Sequence, residues 1–223
     1  MTDQIEYFYS IRSSFTYLGA ARLNELAAEA GLDVLHRPMD LAALIEKYES
    51  IEVAETTDRL YAGARVLEAD LVRERYTQLE YRRWGAYLGI EINVDPSHHY
   101  GPRELPSGVV IAAQRRGLDA GRLSHAILEA LWRDDRDIAS RDVIESLIHK
   151  LDLGIDPTQL CEEAMSPDVL RQIAENTEAA ATKGVFGSPT YIWKDELFFG
   201  QDRLGFLRRA IANDNVSGLD YEH

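Results

Sequence analysis

The chain is short of sulfur, of positive charge and of long apolar runs. It has a single cysteine, Cys161, so no internal disulfide forms and a two-thiol redox cycle within the chain is excluded. Against 38 Asp and Glu it sets only 24 Lys and Arg, a formal net charge of −14. Such a field repels phosphate backbones and anionic lipid, so neither nucleic acid nor a membrane surface is an expected partner. Pairs such as those in YRRW and AQRRG read as solvated helix faces. No apolar run approaches the roughly 20 residues needed to cross a bilayer. The opening MTDQIEYFYS has no basic segment leading into an apolar stretch, so no export signal is expected. With one cysteine, the expected compartment is the reducing cytoplasm.

What is present is an ordered alternation of strand and helix patterns. In IEYFYSI, Ile5, Tyr7, Tyr9 and Ile11 share one face and Phe8 the other, which predicts a strand buried on both sides. A helix pattern follows from Ser14 to Ala30, with Gly31 placed as its C-terminal cap. LDVLHRPMDL reads as a second strand, giving a right-handed βαβ unit with parallel strands. The middle is helical: DRLYAGARVLEADLVRERYTQLEYRRWGAYLG closed by Gly89, a Pro- and Gly-rich loop INVDPSHHYGPRELPSG, then helices from about Gly108, Arg122 and Ser140. Asp156-Pro157 and Ser166-Pro167 repeat a cap-then-proline start. TYIW and ELFFG flank a Lys-Asp turn as a hairpin, and RLGFLRRAI ends the pattern as a helix. The order predicts an α/β, thioredoxin-like four-stranded sheet (βαβ…ββα) with a large all-helical insertion. The discontinuous sheet domain takes residues 1–41 and 183–223, and the insertion residues 42–182.

Two motifs carry the chemistry. In a thioredoxin-like fold the first strand ends where the next helix exposes its unpaired N–H groups, a place that favours a thiolate. Redox members put two cysteines there; this chain has Ser13-Ser14-Phe15-Thr16, so dithiol chemistry is excluded. The second motif is GVFGSPTYIW, where the fold places a cis proline; Ser188–Pro189 is expected to be cis, with the Ser188 backbone open to an extended peptide.

YFYSIRSSFTYLG and GVFGSPTYIWKDELFFGQDRL resemble the 2-hydroxychromene-2-carboxylate isomerases and the related kappa-class glutathione transferases, which share a DsbA-like thioredoxin fold with a helical insertion. ALWRDDRDIASRDVIESLI extends the resemblance over nearly the whole chain. The resemblance implies glutathione as cofactor and Ser13 as the hydrogen-bond partner of its sulfur. It implies a backbone contact at Ser188, beside Pro189, to the cysteinyl unit. Gln201 and Asp202 would hold the γ-glutamyl end, and Arg73, or less aptly Arg75, a carboxylate. Ser14 stands where the family usually has proline, the stretch from Leu41 to Ile92 lacks the family's asparagine, and DPSHHYG departs from its substrate-side sequence. The family also implies a small-molecule substrate and a homodimer.

The energetics are adequate without a cysteine. Lowering a thiol from about 8.5 by roughly 2 units takes about 2.7 kcal/mol. A hydroxyl donating to a charged acceptor contributes about 1.5–3 kcal/mol and a helix N-terminus about 0.3–1. The implied reaction is conjugate addition of the thiolate to an unsaturated aromatic 2-oxo acid, bond rotation, and expulsion of the thiolate: a glutathione-dependent cis–trans isomerisation. A kappa-like transferase and a non-enzymatic peptide-binding module are the alternatives. Ser14 is expected to cap the helix, Thr16 to touch the site's edge, Tyr17 to pack on the sheet, and Cys161 to be a core residue. Adjacent His98 and His99 lack a third ligand at useful spacing, so no metal is expected.

Overall fold

The computed structural model describes residues 3–53 and 63–215. Strand β1 (Gln4–Tyr9) leads into helix α1 (Ser14–Ala30) and strand β2 (Asp33–Pro38). Helices α2 (Leu41–Val53), α3 (Gly63–Leu88), α4 (Glu104–Arg115), α5 (Ala120–Trp132), α6 (Arg141–Leu151), α7 (Pro157–Ala164) and α8 (Pro167–Thr182) follow. The chain then returns to β3 (Thr190–Trp193) and β4 (Glu196–Phe199), a 3-10 turn at Gln201–Arg203, and α9 (Leu204–Asn215). The sheet order is β2-β1-β3-β4. β1 runs parallel to β2 and antiparallel to β3, which pairs antiparallel with β4.

The expected first strand is real, and its two faces enter different cores. Ile5, Tyr7 and Tyr9 pack with Leu23 of α1, Ile127 of α5 and Leu207 of α9. Phe8 packs on the other side with Leu44 of α2 and Ala180 of α8. Gly31 closes α1 in a left-handed conformation (φ 65°), its N–H reaching Ala27 and Ala28. The β3–β4 hairpin turns at Lys194 and Asp195, both at positive φ (45° and 69°), the sense of twist that a two-residue turn requires.

One boundary differs from the sequence reading. α4 starts at Glu104, four residues before Gly108, so residues read as loop are helical. Pro106 sits in the first turn, where the missing N–H has no intrahelical partner to lose. Gly108 is there for contact: a Cβ at this position would lie 2.4 Å from the carbonyl oxygen of Ala164. α4 and α7 thus approach through a gap that only glycine permits.

β2 is joined to the helices by a side-chain amide that imitates a strand. The Gln114 side chain accepts from the His36 N–H at 2.6 Å and donates to the His36 carbonyl at 3.2 Å. Behind it, Ser124 donates to the Tyr9 hydroxyl (3.0 Å), which lies 3.2 Å from His36 Nδ1. Burial pushes His36 down to about 4, so the ring is neutral. Cys161 is buried on α7 and its thiol is pushed up to about 11 by desolvation, which leaves it an inert core residue.

Candidate active site

The turn between β1 and α1 is built from small hydroxyl residues. Ser13 N–H donates to Ser10 O (3.1 Å), and Ser13 takes an extended conformation (φ −79°, ψ 127°) as the N-cap of α1. Its Oγ accepts from Thr16 N–H at 3.3 Å. Ser13, rather than Ser14, therefore caps the helix. Capping uses a lone pair of Oγ and leaves the hydroxyl proton available for another acceptor.

Opposite this cap lies the Ser188–Pro189 peptide, which is cis as expected. Ser188 Oγ accepts from Ser10 N–H at 2.8 Å and lies 2.9 Å from Thr16 Oγ1, so the side chain locks the ledge to both sides of the turn. Thr16, expected at the edge of the site, is fully buried and is this lock. Ser188 O is 3.5 Å from Ser13 Oγ, the outer limit of a hydrogen bond. The Ser188 N–H has no partner among the described residues. Ser13 and the open Ser188 backbone are thus brought face to face. Gly187 makes the ledge possible, because a Cβ there would lie 2.3 Å from the Phe199 ring.

The far corner is the 3-10 turn. Gln201 is buried, and its Oε1 accepts from Arg22 Nη1 at 2.7 Å. Gly19 of α1 lets this happen, since a Cβ there would lie 2.8 Å from the Tyr191 hydroxyl and 3.0 Å from Gln201 Cβ. The Gln201 side chain braces the turn from inside, and Asp202 stands on that turn, paired with Arg203 at 2.6 Å. Arg73 falls in α3 with its side chain outside the described residues; Arg75 is exposed.

The other wall was not legible in the sequence. Aromatic rings run from Phe15 to Tyr81 (centroids 5.4 Å apart), then to Trp132 (5.6 Å), His99 (4.8 Å) and Tyr100 (4.6 Å). Burial raises the Tyr81 phenol, against a smaller opposing effect from the Ser14 hydroxyl. Arg12 is 8% exposed and donates to the carbonyls of His98, His99 and Pro102. His99 is lowered first by burial and then by the Arg12 charge. Tyr17 hydrogen-bonds Glu91 O at 2.9 Å and stacks on His125, packing toward the helices rather than only on the sheet. The one sequence signal for Arg12 was a cation amid small and apolar residues at a strand–helix junction. Among the described residues no three His, Cys, Asp or Glu side chains gather as metal ligands would, and no helix is long and apolar enough to cross a membrane.

A family model for the DSBA-like thioredoxin domain matches residues 4–212. A 2-hydroxychromene-2-carboxylate isomerase from Sphingobium xenophagum is 26% identical over 214 residues, covering 96% of this chain and all of that protein. A solved 2-hydroxychromene-2-carboxylate isomerase superposes with a TM-score of 0.72 at 23% identity, covering 96% of this chain and 99% of the other. The cytosolic disulfide reductase DsbM from Pseudomonas aeruginosa, solved with GSH, has a TM-score of 0.63 at 21% identity, covering 96% and 98%.

Proposed function

The chain belongs to the DSBA-like thioredoxin domain family, and from that premise we propose that it is a glutathione-dependent cis–trans isomerase of an unsaturated aromatic 2-oxo acid, of the 2-hydroxychromene-2-carboxylate type. The observation that carries this reading is the position of Ser13. It caps α1 with a lone pair, keeps its proton, and faces a peptide whose N–H has no partner among the described residues. The relatives named as isomerases align over nearly the full length, which supports the reaction class.

The residues present suit glutathione. A tripeptide pairs with an open backbone, and the Ser188 N–H beside Pro189 is such a donor. A γ-glutamyl ammonium needs a carboxylate, which Asp202 supplies on the turn that Gln201 and Arg22 brace from within. Arg73 is the proposed partner for a glutathione carboxylate. Bound glutathione would supply a nucleophile that adds reversibly to the conjugated carbon and departs unchanged.

The work of the chain is to make the thiol acidic and to hold the ring. Ser13 donates its proton to sulfur while Thr16 N–H occupies the other side of Oγ, which aims the hydroxyl. The N-terminus of α1 adds its positive end. Phe15 and Tyr81 offer flat apolar surface at the helix start, suited to an aromatic substrate. The protein acts as a homodimer in the cytoplasm under this proposal.

The test is to titrate glutathione with the purified protein between about pH 5 and 9, following thiolate absorbance, beside Ser13→Ala. The thiol ionises well below its free value in the wild type. The variant loses most of the shift and about tenfold to a hundredfold in turnover, the worth of one hydrogen bond to a charged acceptor. An unshifted thiol in the wild type overturns the proposal. Conversion of the chromene acid without net consumption of glutathione marks the isomerase; a stoichiometric adduct marks a transferase instead.

A further inference from the structure

Among the described residues Arg12 is a buried cation without an ion-pair partner. Its guanidinium donates through Nε and Nη2 to Pro102 O (3.2 and 2.6 Å) and through Nη1 to His98 O (2.7 Å) and His99 O (3.3 Å). No carboxylate lies within ion-pairing distance among the described residues. Asp137 and Glu104 act on it favourably but from further off, and Arg103, which also faces it, is itself paired with Asp40. Withdrawing a guanidinium from water for carbonyl partners alone is costly. A chain under no local demand at this position would place an apolar side chain there.

The main chain of Arg12 is tied as tightly as its side chain. Its N–H donates to Ser10 Oγ (3.3 Å) and its carbonyl accepts from Trp132 Nε1 (3.2 Å). Trp132 in turn carries the His99 ring, from the same loop whose carbonyls hold the guanidinium. The contacts close a circuit: Arg12, the His98–Pro102 loop, His99, Trp132 and back to Arg12. The planar fork makes four bonds to three carbonyls in a fixed geometry, which the three donors of a lysine ammonium do not reproduce. Gly101 admits the approach, because a Cβ there would lie 3.0 Å from Arg12 Nη2. The residue next in sequence is Ser13, so the clamp and the thiol-activating hydroxyl share one turn.

We propose that Arg12 is a positioning residue that fixes the His98–Pro102 loop against the start of α1 and so sets the wall that receives the second, electrophilic substrate. The assignment rests on the glutathione reading for its kinetic consequence, but not for its structural one. The clamp acts on the electrophile's binding, while activation of sulfur stays with Ser13.

The test compares wild type, Arg12→Lys and Arg12→Met by amide hydrogen exchange, by NMR titration of His99, and by steady-state kinetics with the chromene acid. In Arg12→Met, exchange of the amides of His98, His99, Tyr100, Gly101 and Arg103 accelerates about tenfold or more, the expected loss for hydrogen bonds to a charged group. The His99 pKa moves up toward its ordinary value as the charge leaves and the ring is exposed. KM for the electrophile rises about tenfold with a smaller change in kcat, since the loss is one of binding. Arg12→Lys keeps the charge and the fold but only part of the clamp, so it falls between the two in exchange and in KM. Unchanged exchange and an unchanged His99 titration overturn the clamp. Faster exchange with KM unaltered, or a loss confined to kcat, overturns its role toward the substrate. A wild-type protein that neither ionises glutathione nor converts the acid overturns the functional reading instead, and exchange and titration still decide the clamp.

Discussion

The two walls of the site are made from different materials. The wall formed by α1 and the Ser188–Pro189 turn consists of hydroxyls and backbone within two short stretches: Ser10, Ser13 and Thr16 against Ser188. The wall formed by α3 and the loop before α4 is aromatic, Tyr81 and His99 backed by the buried Trp132 of α5, and it is held by one buried arginine. The first wall resembles a motif because each of its two stretches is short and continuous in the chain. The second is a packing result whose parts lie dozens of residues apart. Under the proposed function, the hydrogen bond to sulfur falls to the first and recognition of an aromatic substrate to the second.

The seam between the two regions gives the largest expected effect. His36 lies on β2 but is gripped by Gln114 of α4 and, through Tyr9, by Ser124 of α5. Its folded pKa of about 4 lies below the unfolded value near 6.5. Between those values the unfolded chain binds a proton that the folded chain refuses, so stability is full above pH 6.5 and falls as the pH drops toward 4. The loss from this group amounts to about 3 kcal/mol at the lower end. Urea denaturation at pH 7 and pH 4.5 measures it. His36→Gln, which never titrates, shows a shallower decline over that window; an equal decline in both proteins removes His36 as the cause.

Breaking the helical region alone comes next. Gly108→Ala forces a methyl group toward the Ala164 carbonyl and separates α4 from α7. A net destabilisation of about 2 kcal/mol is expected, overpacking being offset in part by alanine's better helix propensity. Thermal melting measures it. Because the change is remote from Ser13, ionisation of bound thiol in the folded variant stays at the wild-type value. A shifted thiol would mean that the two walls are not independent.

The smallest effect sharpens the contrast with the resembling family. Ser14 is the first residue of α1, a position where proline is favoured, and Ser13 before it already has the extended conformation that a following proline requires. Ser14→Pro stabilises by about 0.4–1 kcal/mol through a stiffer unfolded chain. It also removes the hydroxyl that opposes the raised pKa of Tyr81, so that phenol titrates higher still. Denaturant titration and the absorbance of the phenolate read the two consequences separately.

Much of the sheet half was legible in the chain. Alternation in IEYFYSI, the run from Ser14 to Gly31, and the TYIW and ELFFG pair mark β1, α1 and the closing hairpin within a few residues of their observed ends. Local preference and burial agree there. The cis Ser188–Pro189 step and a hydroxyl cap at the start of α1 were legible for the same reason, although the sequence pointed to Ser14 and the structure caps with Ser13. The start of α4 was misread because Pro106 and Gly108 look like loop residues, and their true reasons, a first-turn position and contact with Ala164, are not local. Arg12 was passed over because its partners are carbonyls, which have no residue type to recognise. The bond from Arg22 to Gln201 Oε1 was not legible, since the two residues lie 179 positions apart.

By itself, then, the sequence determined the order of strands and helices, the absence of dithiol chemistry at the α1 junction, and the run of hydroxyl residues there. Hydrophobic period, capping and residue identity act over a few positions and can be read there. Only the tertiary structure decided which hydroxyl caps the helix, what Thr16 and Gln201 hold in place, and that Arg12 gathers a distant loop beside the site. Those outcomes depend on close approach between segments far apart in the chain, where burial makes each unpaired polar group take whichever partner the packing brings within reach.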